Sequence, residues 1–463
     1  MDVDGDISTG VSAAGATAAP VSEAERFALL KGAVKDSPTD YNAHLSLVEY
    51  LRKEQSGSLE LLKARQGFSA GFPLSPELWQ EWIEDRRAAG GEDATEDILL
   101  LYRRAFSDYQ CAKLWPGYLE ILEESIDADD ESGVSTMREA FESALGCIGV
   151  HPMLGGAVWK AYVRFEKEEL EDAQEMDAGD AEIAIARERV KRLYRRQLAV
   201  PLAGNDEALA EAREAFSGDD AGFQEACQAH AKASEMLVSR MEHERVISRC
   251  QEDDPGGPGA ANAWEAYAAM EAADGHPSRA VLVLERAESE GCCLHERVWT
   301  THSDLLLAQM ESRDQEEKLT TRAVRNLPWS AELWCRRLRS LERCSSERCL
   351  EASSEEGAAA GAAGAAAETT ETTETLRRVW KQALGSALPS PDEYIKVLLA
   401  YCASFRRRLV SAVEAAVKAK SAPPAVGEGE GVGGSRGRSG AAVAVALEGT
   451  RGAFDEAEAF VDK

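Results

Sequence analysis

PGAANAWEAYAAMEAADGHPSRAVLVLERAESEGCCLHERVW, residues Pro258–Trp299, holds one complete structural unit and the start of the next. Trp264, Tyr267 and Met270 fall three residues apart, on one face of a helix. Gly275 stops that helix and Pro277 opens another, which carries Val281, Leu284 and Ala287 on its apolar face. The pattern then restarts. Trp299 lies 35 residues after Trp264, and Trp334 lies 35 after Trp299. A fixed period in the thirties, built from two helices, marks a solenoid of helical hairpins. The same cassette occurs upstream at Trp79, Trp115 and Trp159, with gaps of 36 and 44 residues. The sequence therefore predicts an all-α fold, an α-solenoid of about eight antiparallel hairpins.

Such a hairpin needs bulky anchors on its first helix and a small residue on its second. Trp79 with Trp82, Trp115 with Tyr118, Trp159 with Tyr162, and Trp264 with Tyr267 supply the anchors, as do Trp299 and Trp334 alone. Ala105, Ala144, Ala287, Ala323 and Ala383 supply the small residues that allow close approach. Glu166, Glu271 and Glu342, one turn past the aromatic positions, are placed to bond into a neighbouring hairpin. Tryptophans at this spacing read as core anchors and not as a ligand cage.

Residues 1–22 have almost nothing to bury and read as a disordered tail. The repeat array is expected over residues 23–408. Between Trp159 and Trp264 the helical stretches Glu207–Phe216 and Gln224–Ile247 carry no Trp and read as a degenerate hairpin. The Ala/Gly/Glu/Thr run at 351–375 reads as a flexible insertion, and the acidic run Glu166–Asp180 as a solvated loop. Residues 409–463 read as a Gly-rich linker at 421–440 followed by a last helix.

A net charge of −30, from 52 basic against 82 acidic residues, disfavours tight contact between these repeats and a phosphate backbone. Ten cysteines without paired spacings read as reduced thiols. No Lys or Arg precedes Arg26, which argues against a secretory or mitochondrial leader, and no stretch reads as a membrane span. No catalytic, cofactor-binding or metal-ligating set emerges, so the chain is read as a binding protein and not an enzyme. Arg406, Arg407 and Arg408 form the one local basic run worth weighing as a partner contact, although a solvated helix face is the commoner meaning.

Trp-x-x-Tyr, an acidic residue one turn on, and the second-helix string Arg279 to Ala287, which ends Glu285-Arg286-Ala287, resemble the half-a-TPR (HAT) repeat family. Several strings are similar to those of its spliceosome-recycling members: Phe72-Pro73-Leu74 before Glu77-Leu78-Trp79, Arg195 to Leu202, Asn326-Leu327-Pro328-Trp329 before Leu333-Trp334, and Phe405 to Arg408. The resemblance spans Tyr41 to Arg408. It implies a TPR-like, non-catalytic scaffold in nuclear RNA processing that serves U4/U6 small nuclear ribonucleoprotein recycling. The implied partners are spliceosomal proteins, ubiquitin-specific proteases and a second copy of the chain, with RNA touched only indirectly and no membrane. The nucleus is the implied compartment, with the cytoplasm as the alternative. The same family also contains suppressor-of-forked-type scaffolds of mRNA 3′-end cleavage. The chain departs from the pattern at His302 and Arg337, where Tyr is expected, at Leu398 for Trp and at Gln197 for Ala. It shows no RNA-recognition signature before Lys463.

Overall fold

The computed structural model describes residues 22–461 apart from 56, 92, 127–130, 177–178, 310–312, 356–359 and 422–431. Among them are nineteen α-helices, one 3-10 turn and no strand. The expected tail at 1–22 thus lies outside the described residues, except for Ser22. That residue caps the first helix in a box with Glu25.

Backbone contacts divide the chain into Met1–Phe72 and Pro73–Lys463. The first unit holds α1 (Glu23–Asp36), α2 (Tyr41–Glu54) and α3 (Leu59–Gly71). Its centre is a cluster of Tyr41, His44, Phe68 and Phe72, with ring centroids 4.9 to 5.8 Å apart. The Tyr50 hydroxyl donates to the Glu23 carbonyl at 2.9 Å and ties α2 to the start of α1.

The second unit is eight helix pairs in chain order. They are α4 (Pro76–Ala89) with α5 (Ala94–Asp108), α6 (Trp115–Ser125) with α7 (Glu131–Ile148), and α8 (Gly155–Glu175) with α9 (Asp180–Leu198). Next come α10 (Asn205–Ala215) with α11 (Asp220–Asp253), α12 (Pro258–Ala273) with α13 (Pro277–Ser289), and α14 (Glu296–Gln309) with α15 (Arg313–Asn326). The last two are α16 (Ala331–Glu355) with α17 (Ala360–Gly385), and α18 (Pro391–Ser421) with α19 (Val432–Val461). A 3-10 turn, Cys292–Leu294, links α13 to α14. Each helix packs on the next, and some on the next but one, as α9 does on α11 and α16 on α18. The core consequently runs along the stack, as in an α-solenoid. One buried stretch of it joins Trp264, Tyr267, Leu284 and Ala287, and another joins Trp299, Ala323, Trp334, Trp380 and Tyr401.

Three sequence expectations need correction. The 351–375 stretch is not a loop: α16 runs to Glu355 and α17 begins at Ala360, leaving only 356–359 outside the described residues. Alanine is the strongest helix former, and no proline interrupts this run, so a composition that looks disordered extends a helix once α16 and α19 lie beside it. The Gly-rich 421–440 segment is likewise helical from Val432 onward, and α19 is held to α18 through buried Thr450, Ala453 and Ala457. The acidic run after Phe165 continues α8 to Glu175 instead of forming a loop. The degenerate region is the expected pair of helices, α10 and α11, the second of them 34 residues long.

Candidate functional site

The contacts between neighbouring hairpins show what the repeated residues do. Every predicted anchor is buried except Tyr118, which is half-buried; Trp264, Trp299, Ala144 and Ala287 are wholly inaccessible. Three indole N–H groups tie a first helix to the segment before it. Trp159 donates to the Gly149 carbonyl at 2.9 Å, Trp299 to Cys293 at 2.8 Å and Trp334 to Pro328 at 2.8 Å. Trp79 donates instead to the Asp108 carboxylate at 3.0 Å. The indole N–H groups of Trp115 and Trp264 have no partner among the described residues.

The arginine that precedes the small residue on the second helix was not assigned a role from sequence. It lies over the tryptophan of its own hairpin: Arg104 is 5.2 Å from the Trp79 ring, Arg196 is 5.2 Å from Trp159, and Arg286 is 4.8 Å from Trp264. In Arg196 and Arg286 the same guanidinium also reaches back to a glutamate on the preceding second helix, as does that of Arg322. Arg196 grips Glu142 with two bonds of 2.6 and 2.7 Å, and Arg286 grips Glu244 with 2.7 and 2.9 Å. Arg322 reaches Glu285 and Glu288, each at 3.4 Å. The hydrogen bond from Arg196 holds the Glu142 carboxyl below its usual range. Arg286 and Glu244 sit 42 residues apart and Arg322 and Glu285 37, about one repeat, which is the signal that could have found them; Arg196 and Glu142 are 54 apart.

The glutamates past the aromatic positions do bond to neighbours. Glu166, 1% exposed, receives two bonds from Arg138 at 2.6 and 3.0 Å, and Glu271 receives two from Arg240 at 3.0 and 2.7 Å. Glu342 bonds forward to Arg407 at 2.6 Å, while Arg343 and Glu316 form the same link with its polarity reversed.

A second set of contacts joins hairpins far apart in sequence. Arg325 at the end of α15 donates to Asp108 at 2.6 Å, and the Tyr109 hydroxyl donates to Asn326. Asp108 also accepts from the Leu74 amide at 2.9 Å. Burial pushes its carboxyl up, against the pull of Arg325. Between the α5–α7 side and the α13–α15 side lies a groove of about 870 Å³. Phe106, Leu282, Leu306 and Leu319 give it apolar lining, and Arg103, Lys318, Arg322 and Arg325 line it with positive charge. Cys147 also lines it, and burial pushes that thiol up to about 12, so it is a neutral side chain there.

The basic run on α18 is divided. Arg407 is engaged by Glu342; Arg408 donates to the Thr373 hydroxyl at 3.1 Å and lies 5.9 Å from the Phe405 ring centroid. Arg406 is exposed. Ile395, Leu399, Val410, Val413 and Val417 form an exposed apolar stripe along the same helix.

The profile of the PRP39 N-terminal HAT repeat matches residues 29–210. The chain is a HAT-repeat protein. It is 33% identical over 326 residues to the mouse (Mus musculus) protein "Spliceosome associated factor 3, U4/U6 recycling protein", an alignment covering 70% of this chain and 31% of that one. It is 27% identical over 144 residues to the zebrafish (Danio rerio) pre-mRNA-processing factor 39, covering 30% of this chain and 18% of the relative. Over 178 residues it is 25% identical to the Schizosaccharomyces pombe mRNA 3′-end-processing protein rna14, covering 37% and 22%. This HAT-repeat chain therefore spans about a third of the length of the recycling protein it matches. Among its described residues no helix is long and apolar enough to cross a membrane.

Proposed function

We propose that this HAT array is a scaffold of nuclear pre-mRNA splicing, holding protein partners of U4/U6 small nuclear ribonucleoprotein recycling. The observation that carries this reading is the 33% identity to the recycling protein over 70% of the chain. The geometry supports binding over chemistry. The buried carboxylates Glu166 and Glu271 and the arginines facing them are spent in bonds between hairpins, and Cys147 is held neutral. In this reading Arg406 and the apolar stripe of α18 face outward to meet a partner, a second copy of the chain included. A scaffold of 3′-end cleavage is the second reading, favoured by the similarity to rna14.

The test is affinity capture from nuclear extract on the tagged chain, with U4 and U6 RNAs and 3′-end cleavage proteins quantified together. Enrichment of U4 and U6 through protein contacts supports the first reading. Enrichment of cleavage proteins alone transfers support to the second, and enrichment of neither overturns both.

A further inference from the structure

We propose that the groove between α5–α7 and α13–α15 is a docking cleft for an acidic polypeptide segment that interleaves carboxylates with apolar side chains. This rests on the scaffold reading and assigns it a surface. In a chain of net charge −30, this groove is lined by Arg103, Lys318, Arg322 and Arg325 against the single carboxylate of Glu285. Arg103 and Lys318 are exposed at its edge, where they attract negative charge across solvent.

The inner wall carries unmet hydrogen-bonding capacity. His302, 1% exposed, meets Glu288 through Nδ1 at 2.7 Å, and its Nε2 has no partner. Nε of Arg322 also has none. A buried polar atom left unpaired is costly, so a ligand that pairs it gains what the free protein lacks. His302 meets Glu288 through Nδ1, so Nε2 is left to pair with a peptide N–H or carbonyl, as its tautomer requires. Arg322 offers an N–H, which suits a carbonyl or carboxylate. A peptide backbone supplies both, and its side chains reach the lining of Phe106, Leu282 and Leu306. RNA offers phosphates to the edge, but it would place its backbone against a strongly acidic protein and leave the apolar wall uncovered. Polypeptide is therefore the occupant the groove favours.

The probe is a fluorescein-labelled dodecapeptide repeating Glu-Leu-Ser, titrated with the full chain by fluorescence anisotropy. A Lys-Leu-Ser dodecapeptide and an oligo-uridine are the comparisons. The acidic peptide should bind best, and more weakly as salt is raised. The double variant Arg103→Glu, Lys318→Glu should bind it at least about tenfold more weakly with an unchanged melting curve, both side chains being exposed. Arg249→Glu, exposed on α11, should leave binding unchanged. Equal affinity of the double variant and the unaltered chain overturns the proposal, as does tighter binding of the basic peptide or of oligo-uridine. The U4 and U6 capture is read on the unaltered chain, so a groove indifferent to acidic peptide leaves the scaffold reading standing.

Discussion

At the scale of single residues, the second-helix arginine decides how neighbouring hairpins meet. Arg286 lies against Trp264 with one face while its N–H groups bond Glu244, and both members of that ion pair are largely buried. Arg286→Ala should destabilise the chain by about 3–5 kcal/mol, since it strands a buried carboxylate. That is comparable to Trp264→Ala, at about 3–5 kcal/mol for a large-to-small core change. The two are distinguishable in urea denaturation: adding Glu244→Gln should restore part of the loss in Arg286→Ala and none in Trp264→Ala. His151 makes a pH-dependent contribution. Its Nδ1 accepts from the Met153 and Leu154 amides at 3.2 and 3.4 Å, at the start of α8, and burial lowers its pKa to about 4. The unfolded chain takes up this proton near pH 6.5 and the folded chain only near pH 4. This contribution is therefore complete above pH 6.5 and is lost as pH falls toward 4, by about 3 kcal/mol. His151→Asn should flatten that part of the stability–pH curve, and an unchanged slope would remove His151 as its source.

At the scale of elements, helices with strong caps and a tryptophan start were legible, and those defined by composition alone were not. Ser75 and Pro76 fix the start of α4, and the Ser75 side chain does accept from the Leu78 amide. Ser75→Ala should cost about 1 kcal/mol, read as a lower denaturation midpoint with an unchanged slope. The Ala-rich start of α17 and the Gly-rich start of α19 have no capping signal and no apolar period, so sequence reasoning assigned them to loops. Their helicity comes from the helices beside them, information that lies outside the segment itself. The candidate site was legible in the same uneven way. Trp159, Tyr162 and Ala144 announced themselves by periodicity. The guanidinium contacts did not, because a surface arginine and one folded over an indole look alike in a string of letters.

At the scale of the second unit, the contact that no local pattern could show is the one between α5 and α15. Periodicity predicts which hairpin follows which; it is silent on whether hairpins five pairs of helices apart meet. They do so through Asp108 with Arg325 and Tyr109 with Asn326, 217 residues apart in sequence. Asp108 is the centre of that junction, since it also receives the Trp79 indole and the Leu74 amide. Arg325→Ala should leave this buried carboxylate without its cation and cost about 3–5 kcal/mol. Asp108→Asn keeps an acceptor oxygen for Trp79 or Leu74 and removes the charge, so adding it to Arg325→Ala should recover part of the loss. The double-mutant cycle should give a coupling of about 1–3 kcal/mol. Acidification protonates Asp108 and should shrink the penalty of Arg325→Ala. Hydrogen exchange supplies the spatial test: amides of α5 and α15 should exchange faster together in Arg325→Ala, while those of α8 and α9 keep their protection. Additive single effects, or faster exchange in α15 alone, would show that these distant hairpins are not energetically joined.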